Sequence, residues 1–119
     1  MEEEKINDCI FCKIAKKEIK VDILEENDNF IAFPDANPIT GGHTLIIPKK
    51  HFLNILDLPS SLGTELLSII KKVSEEKLKE GFEGFNIFMN NLPEAGQVVM
   101  HAHIHIIPRK KGDGIKFKL

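Results

Sequence analysis

Apolar and polar side chains alternate most clearly in the last quarter of the chain. Residues 98–108 read Val98-Val99-Met100-His101-Ala102-His103-Ile104-His105-Ile106-Ile107-Pro108. Facing repeats every second residue in a strand, so this run predicts one with three imidazoles on one face and Ala102, Ile104 and Ile106 on the other. Residues 84–90 alternate similarly, with Phe85, Ile87 and Met89 set against Asn86, Phe88 and Asn90. A third strand is expected over residues 43–48, entered through Gly41-Gly42 and stopped by Pro48 and Lys49-Lys50. Two short ones, residues 23–26 and 29–33, flank the turn residues Asn27-Asp28. Helical spacing replaces alternation twice. Asp8 is placed to cap a short helix over residues 9 to about 17, with Ile10, Phe11 and Ile14 on one side. A long helix is predicted over residues 59–80: Leu62, Leu66, Ile69, Ile70 and Val73 mark its apolar face, charged residues the other, and Gly81 its end. Clustered strands of this kind predict an α+β fold, a five-stranded antiparallel sheet with a short N-terminal helix and one long helix, the helices on one side.

Composition narrows the class. A chain of 119 residues, 42% hydrophobic, is enough for one core. Without internal repeats, linkers or low-complexity stretches, a single domain over residues 1–119 is expected. The longest apolar runs are far too short to span a bilayer, and Met1-Glu2-Glu3-Glu4 is the opposite of a basic signal n-region, so a cytoplasmic protein with no membrane partner is expected. A net charge of −2 argues against nucleic acid held by bulk electrostatics. Any polyanion must be met at a local site.

The candidate chemistry is concentrated in the histidines. Three of five lie within five residues, and imidazole is the side chain that serves as base, acid or nucleophile near neutral pH. Alternate residues on a strand are about 6.5–7 Å apart, so three span about 13 Å, whereas zinc holds its nitrogens at about 2 Å. Two of the three can share an ion; all three would need a sharply bent strand. The only cysteines, Cys9 and Cys12, form a Cys-x-x-Cys pair. A structural disulfide does not suit a cytoplasmic protein, and no βαβ pattern supports a thioredoxin-like site. Half a zinc site is the better reading, with two reduced thiols and no metal as the alternative.

Taken together, the ordered segments resemble the histidine triad family. The resemblance is carried by the alternating histidines, by residues 8–14 (Asp-Cys-Ile-Phe-Cys-Lys-Ile), by Phe33-Pro34-Asp35, by His43 with Ile46-Ile47-Pro48-Lys49-Lys50-His51, and by Pro93-Glu94-Ala95-Gly96-Gln97. It implies a nucleotidyl hydrolase or transferase acting on the α-phosphate of purine nucleotide derivatives, either dinucleoside polyphosphates or nucleoside phosphoramidates, and releasing an AMP-type product. By correspondence, His103 is the nucleophile that forms a covalent nucleotidyl-histidine. The backbone carbonyl of His105 fixes its tautomer, His43 supports the third histidine, and His101 completes the triad. Asn90, Gly96, Gln97 and Val98 hold the phosphate oxygens, Asp35 the ribose hydroxyls, and Ile10, Phe11, Ile14 and Phe33 surround the base. Plain core packing is the competing reading of those apolar residues. The same resemblance implies a structural Zn2+ on Cys9, Cys12, His51 and His101, no organic cofactor, and a homodimer with the long helices together, to which Leu67 is a candidate contributor.

One departure concerns the leaving group. The phosphoramidase branch commonly has serine where this chain has Val98, so a hydroxyl is missing there; Arg109, Lys110 and Lys111 would attract a longer phosphate chain, against the favoured reading of each as part of a solvated charge run after a strand. The reading from a different class is a non-catalytic module in which the same pocket senses a nucleotide and the surface meets a protein partner. Such a module has no use for an aligned nucleophile.

Overall fold

The computed structural model describes residues 8–117. Its elements run in chain order as α1 (Ile10–Ala15), β1 (Glu25–Glu26), β2 (Phe30–Pro34), β3 (Thr44–Pro48), α2 (Gly63–Lys79), β4 (Gly84–Phe88) and β5 (Ile104–Arg109). The five strands form one antiparallel sheet in the order β1-β2-β3-β5-β4. This is the expected α+β architecture, with one correction: the helices lie on opposite faces. Alternation along β2 divides the core, since Phe30 and Ala32 join Ile46, Ile104, Ile106, Ile69 and Val73 under α2, whereas Ile31 and Phe33 join Leu45, Ile47, Phe11 and Ile14 under α1. A side chain of this size stabilises the fold by about 1.5–3 kcal/mol when fully buried. Both faces of the central strands are therefore covered, while the open part of the α1 face is left for chemistry. No helix among the described residues is long and apolar enough to cross a membrane.

Several boundaries differ from the pattern. The short helix is capped by Cys9, whose sulfur accepts from the Cys12 amide at 3.4 Å, and not by Asp8. Residues 60–62 form a 3-10 turn before α2, and Gly81 ends that helix with φ +104°. Of residues 23–26 only Glu25–Glu26 pair, and β4 stops at Phe88, short of Asn90. The largest difference lies in the histidine run. Only residues from Ile104 onward join the ladder, where Ile104, His105 and Ile106 pair with Ile46, Leu45 and Thr44; Ile47 and Pro48 of β3 have no partner in the histidine run. The Ala102 amide turns instead to the Phe52 carbonyl at 2.7 Å. His101 and His103 thus leave the sheet before its first ladder pair, which frees their rings to take different neighbours.

Candidate active site

A cavity of about 520 Å³ opens between α1, the loop after β2, and the segment that leads into β5. Ile10, Phe11, Ile14 and Phe33 line it together with Asp35, Asn90, Gly96, Val98, His103 and His105. Its walls are apolar at the α1 end and polar where the two histidines stand. No lysine or arginine among the described residues lines it.

Backbone groups decide which nitrogen of each ring carries a proton. His103 Nδ1 lies 2.7 Å from the His101 carbonyl. A carbonyl accepts only, so Nδ1 is the N–H and Nε2 keeps the lone pair. The expectation that the His105 carbonyl performs this task is corrected: His101 is the residue whose carbonyl lies within reach once the chain leaves the ladder at position 103. For His43 the backbone acts in the opposite sense. The Ile39 amide donates to its Nδ1 at 3.0 Å, so the neutral ring carries its proton on Nε2, 2.9 Å from His105 Nδ1 and 3.3 Å from Asp35 Oδ2. His105 Nδ1 must then accept, which puts the His105 proton on Nε2. That atom is buried and has no partner among the described residues. Burial, reinforced by the neighbouring His103 and His43, pushes the His105 pKa down to about 4, and burial also lowers that of His43 against the opposing pull of Asp35. The outcome is a lone pair on one ring and an unused N–H on the next, with ring centroids 5.1 Å apart.

Two side-chain groups have a metal-ligand composition, and the same proton logic separates them. Potential donor atoms of Cys9, Cys12, His51 and His101 all lie within 4.8 Å of one another. His101 Nε2 donates to the Pro48 carbonyl at 2.8 Å, leaving its Nδ1 lone pair facing the Cys9 and Cys12 sulfurs at 3.4 and 3.5 Å. His51 Nδ1 stands 3.2 Å from the Cys12 sulfur. A carbonyl on the far nitrogen is the usual second partner of a metal-bound imidazole. Burial, with Cys9 adding to it, pushes the Cys12 thiol up to about 12, so only a cation replacing the proton would make a thiolate there. This donor set fits zinc. The other group, Asp35, His43 and His105, is equally compact, but the Ile39 amide on His43 Nδ1 obliges Nε2 to carry hydrogen, so that ring has no lone pair to offer.

The remaining expected residues are distributed as follows. His101 is fully buried and its ring belongs to the cysteine cluster; it does not line the cavity, but its carbonyl holds His103 and its ring packs against Phe11 with centroids 5.8 Å apart. The Gln97 side chain is turned inward, accepting from the Leu92 amide at 2.8 Å and donating to the Leu53 carbonyl at 2.6 Å and the Val99 carbonyl at 3.1 Å. It braces the loop in which Leu92 takes φ +76° and Gly96 φ +93°. Leu92 at that angle is strained, as expected where a loop is held in a fixed shape beside a site. Val98 is 87% exposed at the cavity mouth. Arg109 does not face the cavity but pairs with Asp113 at 2.8 Å, and Lys110 lies over the Phe82 ring, so the expected role of the 109–111 run in drawing a phosphate chain is corrected. Sequence reasoning missed Ile19, Val21 and Val99 on the cavity wall. Ile19 and Val21 stand out as apolar residues on either side of Lys20 in a charged stretch, which was a usable signal. The Ile39 amide and the Pro48 carbonyl are backbone groups and leave none.

The HIT domain profile matches residues 16–112. The chain belongs to the histidine triad family. It is 45% identical over 111 residues to an uncharacterized HIT-like protein of Methanocaldococcus jannaschii, covering 92% of this chain and 86% of that one. It is 43% identical over 108 residues to a protein of Arabidopsis thaliana named adenylylsulfatase HINT3, covering 90% of this chain and 55% of the relative. A third relative, named adenosine 5'-monophosphoramidase HNT1, from Candida albicans, is 41% identical over 108 residues (86% and 70%). Among solved structures, a Zn-bound histidine triad family protein from Mycobacterium smegmatis superposes with a TM-score of 0.85 at 31% identity, covering 94% of this chain and 82% of that one. Enzymes of this histidine triad family thus include named hydrolases.

Proposed function

We propose that this protein is a nucleotidyl hydrolase or transferase that works on the α-phosphate of purine nucleotide derivatives through a covalent intermediate on His103. The observation that carries the reading is the pairing of a lone pair on His103 Nε2 with the unused N–H on His105 Nε2 at the polar end of the cavity. In the first step a bond forms between His103 Nε2 and phosphorus while the bond to the leaving group breaks. In the second, water attacks phosphorus and the bond to nitrogen breaks, releasing the nucleoside monophosphate. The His105 N–H is suited to stabilise charge on a phosphate oxygen, with Asn90 and the loop around Gly96 as further donors. Asp35 suits the ribose hydroxyls, and Ile10, Phe11, Ile14 and Phe33 suit the base. A short phosphate moiety is favoured over a dinucleoside polyphosphate, since no lysine or arginine among the described residues lines the cavity and Arg109 is engaged elsewhere. The names of the relatives agree with that preference.

Zinc is the metal best suited to Cys9, Cys12, His51 and His101. When bound there by four protein ligands it serves structure and not catalysis, because no coordination position stays open. A homodimer is the proposed assembly: β4 is an edge strand, and its Phe85 and Ile87 are 37% and 48% exposed, as is Leu67 of α2 at 53%. The direct test of the catalytic reading is His103→Asn with an adenosine phosphoramidate. Asn keeps polarity but supplies no nucleophilic ring, so turnover is expected to fall at least about a thousandfold with AMP affinity within a few-fold of wild type. Turnover at the wild-type rate would refute it.

A further inference from the structure

We propose that Phe88 is a positioning residue for His105, and that the C-terminal segment, residues 110–117, braces it from behind through Phe117. The inference rests on the catalytic reading above and adds a group outside the cavity. Phe88 is the antiparallel partner of His105 in the β4–β5 ladder. The two rings are stacked with centroids 4.3 Å apart and planes within 11°. A single in-plane hydrogen bond, His105 Nδ1 to His43 Nε2 at 2.9 Å, fixes one point of the imidazole but leaves it free to tilt about that contact. A flat partner against its face removes the tilt. The two restraints together aim Nε2, and Phe88 is absent from the cavity lining, so it acts only through His105.

Phe88 is in turn backed by the edge of Phe117, with ring centroids 6.2 Å apart. Phe117 carries the Arg109 guanidinium over its face at 5.3 Å. Arg109 is held by every arm: Nε and Nη2 donate to the two Asp113 carboxylate oxygens at 2.8 and 3.0 Å, Nη2 also to the Ile115 carbonyl at 2.8 Å, and Nη1 to Asn86 Oδ1 at 2.8 Å. Asp113 closes the loop by accepting from the Lys110 and Ile115 amides. A residue that merely filled space would be served by any apolar side chain of similar volume. A residue that orients an imaginary plane through His105 needs its own ring.

The test compares Phe88→Leu, which keeps apolar volume and loses the plane, with Phe88→Tyr, which keeps the plane. Phe88→Leu is expected to lower kcat about tenfold with KM within about twofold, as small misplacements of a reacting group do, while Phe88→Tyr stays near wild type. The second readout is the ring-nitrogen NMR shifts of His105 in the ligand-free protein: wild type and Phe88→Tyr show one neutral tautomer protonated on Nε2, and Phe88→Leu shows averaged shifts. Phe117→Leu, outside the ladder and so milder to folding, is expected to move both readouts in the same direction by a smaller amount. Unchanged His105 shifts in Phe88→Leu and Phe117→Leu, or equal losses of kcat in Phe88→Leu and Phe88→Tyr, would overturn the proposal. Should wild-type protein turn over no nucleotide derivative, the catalytic reading fails, and the nitrogen shifts still decide the role of Phe88.

Discussion

A neutral imidazole has one lone pair and one N–H, and at this site main-chain groups assign them. The His101 carbonyl and the Ile39 amide set the states of three rings between them: the first leaves the lone pair of His103 on Nε2, and the second, relayed through His43, puts the proton of His105 on Nε2. The relay holds only while the rings are neutral, which gives a pH prediction. An exposed imidazole in the unfolded chain has a pKa of about 6.5, and that of His105 in the folded protein is pushed down to about 4 by burial. Between those values the unfolded chain binds a proton that the folded one refuses. Stability contributed by the neutral ring is therefore complete above pH 6.5 and is lost as pH falls toward 4. Urea denaturation at steps from pH 7 to pH 4.5 is expected to show a midpoint that declines with acidity, and His105→Gln a shallower decline. Equal slopes for the two proteins would refute the assignment.

At the scale of elements, α1 has two roles, presenting Phe11 and Ile14 to the cavity while Cys9 and Cys12 join His51 and His101 beneath it. A helix of six residues has little stability of its own, so it depends on packing and on whatever ties its start to the sheet. Removal of metal is accordingly expected to lower the thermal midpoint by roughly 5 °C or more, with a parallel loss of AMP affinity as the base wall loosens. Scanning calorimetry of zinc-loaded and chelator-treated protein checks this, and coincident melts would contradict it. The element scale is also where the sequence is most and least readable. Periodicity found α2, β4 and β5, and the Asn-Asp, Gly-Gly and Pro-Lys-Lys punctuation found β1, β2 and β3, two of which are apolar on both faces. Periodicity overextended the histidine strand, because the Ala102 amide bonds the Phe52 carbonyl and the Pro48 carbonyl is taken by the His101 ring, partners that the sequence of β5 alone cannot show. It also put both helices on one face, because Phe30 and Ile31 are both apolar and a strand covered on both sides has no polar face to read.

For the whole molecule, the sheet separates two tasks. Its α2 face is closed core, and its α1 face carries the cavity and the Cys9–Cys12–His51–His101 cluster, joined by the chain between His101 and His105. The triad was legible through its chemical type and spacing, and Asp35 and His43 through the family resemblance: Asp35, His43, His103 and His105 are brought to one place, while the His101 ring joins the cysteines. What connects them was not legible, since a carbonyl or amide has no letter in the sequence and Phe88, an apolar residue on the same side as Asn86 and Asn90, has no chemistry of its own to mark it. The exposed edge at β4 carries the assembly prediction. Light scattering at two concentrations is expected to give twice the chain mass of 13.5 kDa, and Ile87→Lys to reduce it to the monomer; a monomeric wild-type protein at both concentrations would refute the dimer.

The central claim is that phosphorus is transferred to a ring nitrogen of His103. Rapid denaturing quench at alkaline pH, where a phosphorus–nitrogen bond survives, of wild-type protein during turnover of an adenosine phosphoramidate, followed by intact-mass measurement and peptide mapping without acid, tests it most directly. The account predicts a transient mass gain of one adenylyl group on the peptide containing His103, localised to that residue and absent from His103→Asn. Turnover with no such adduct at any time, or an adduct on another residue, would contradict it.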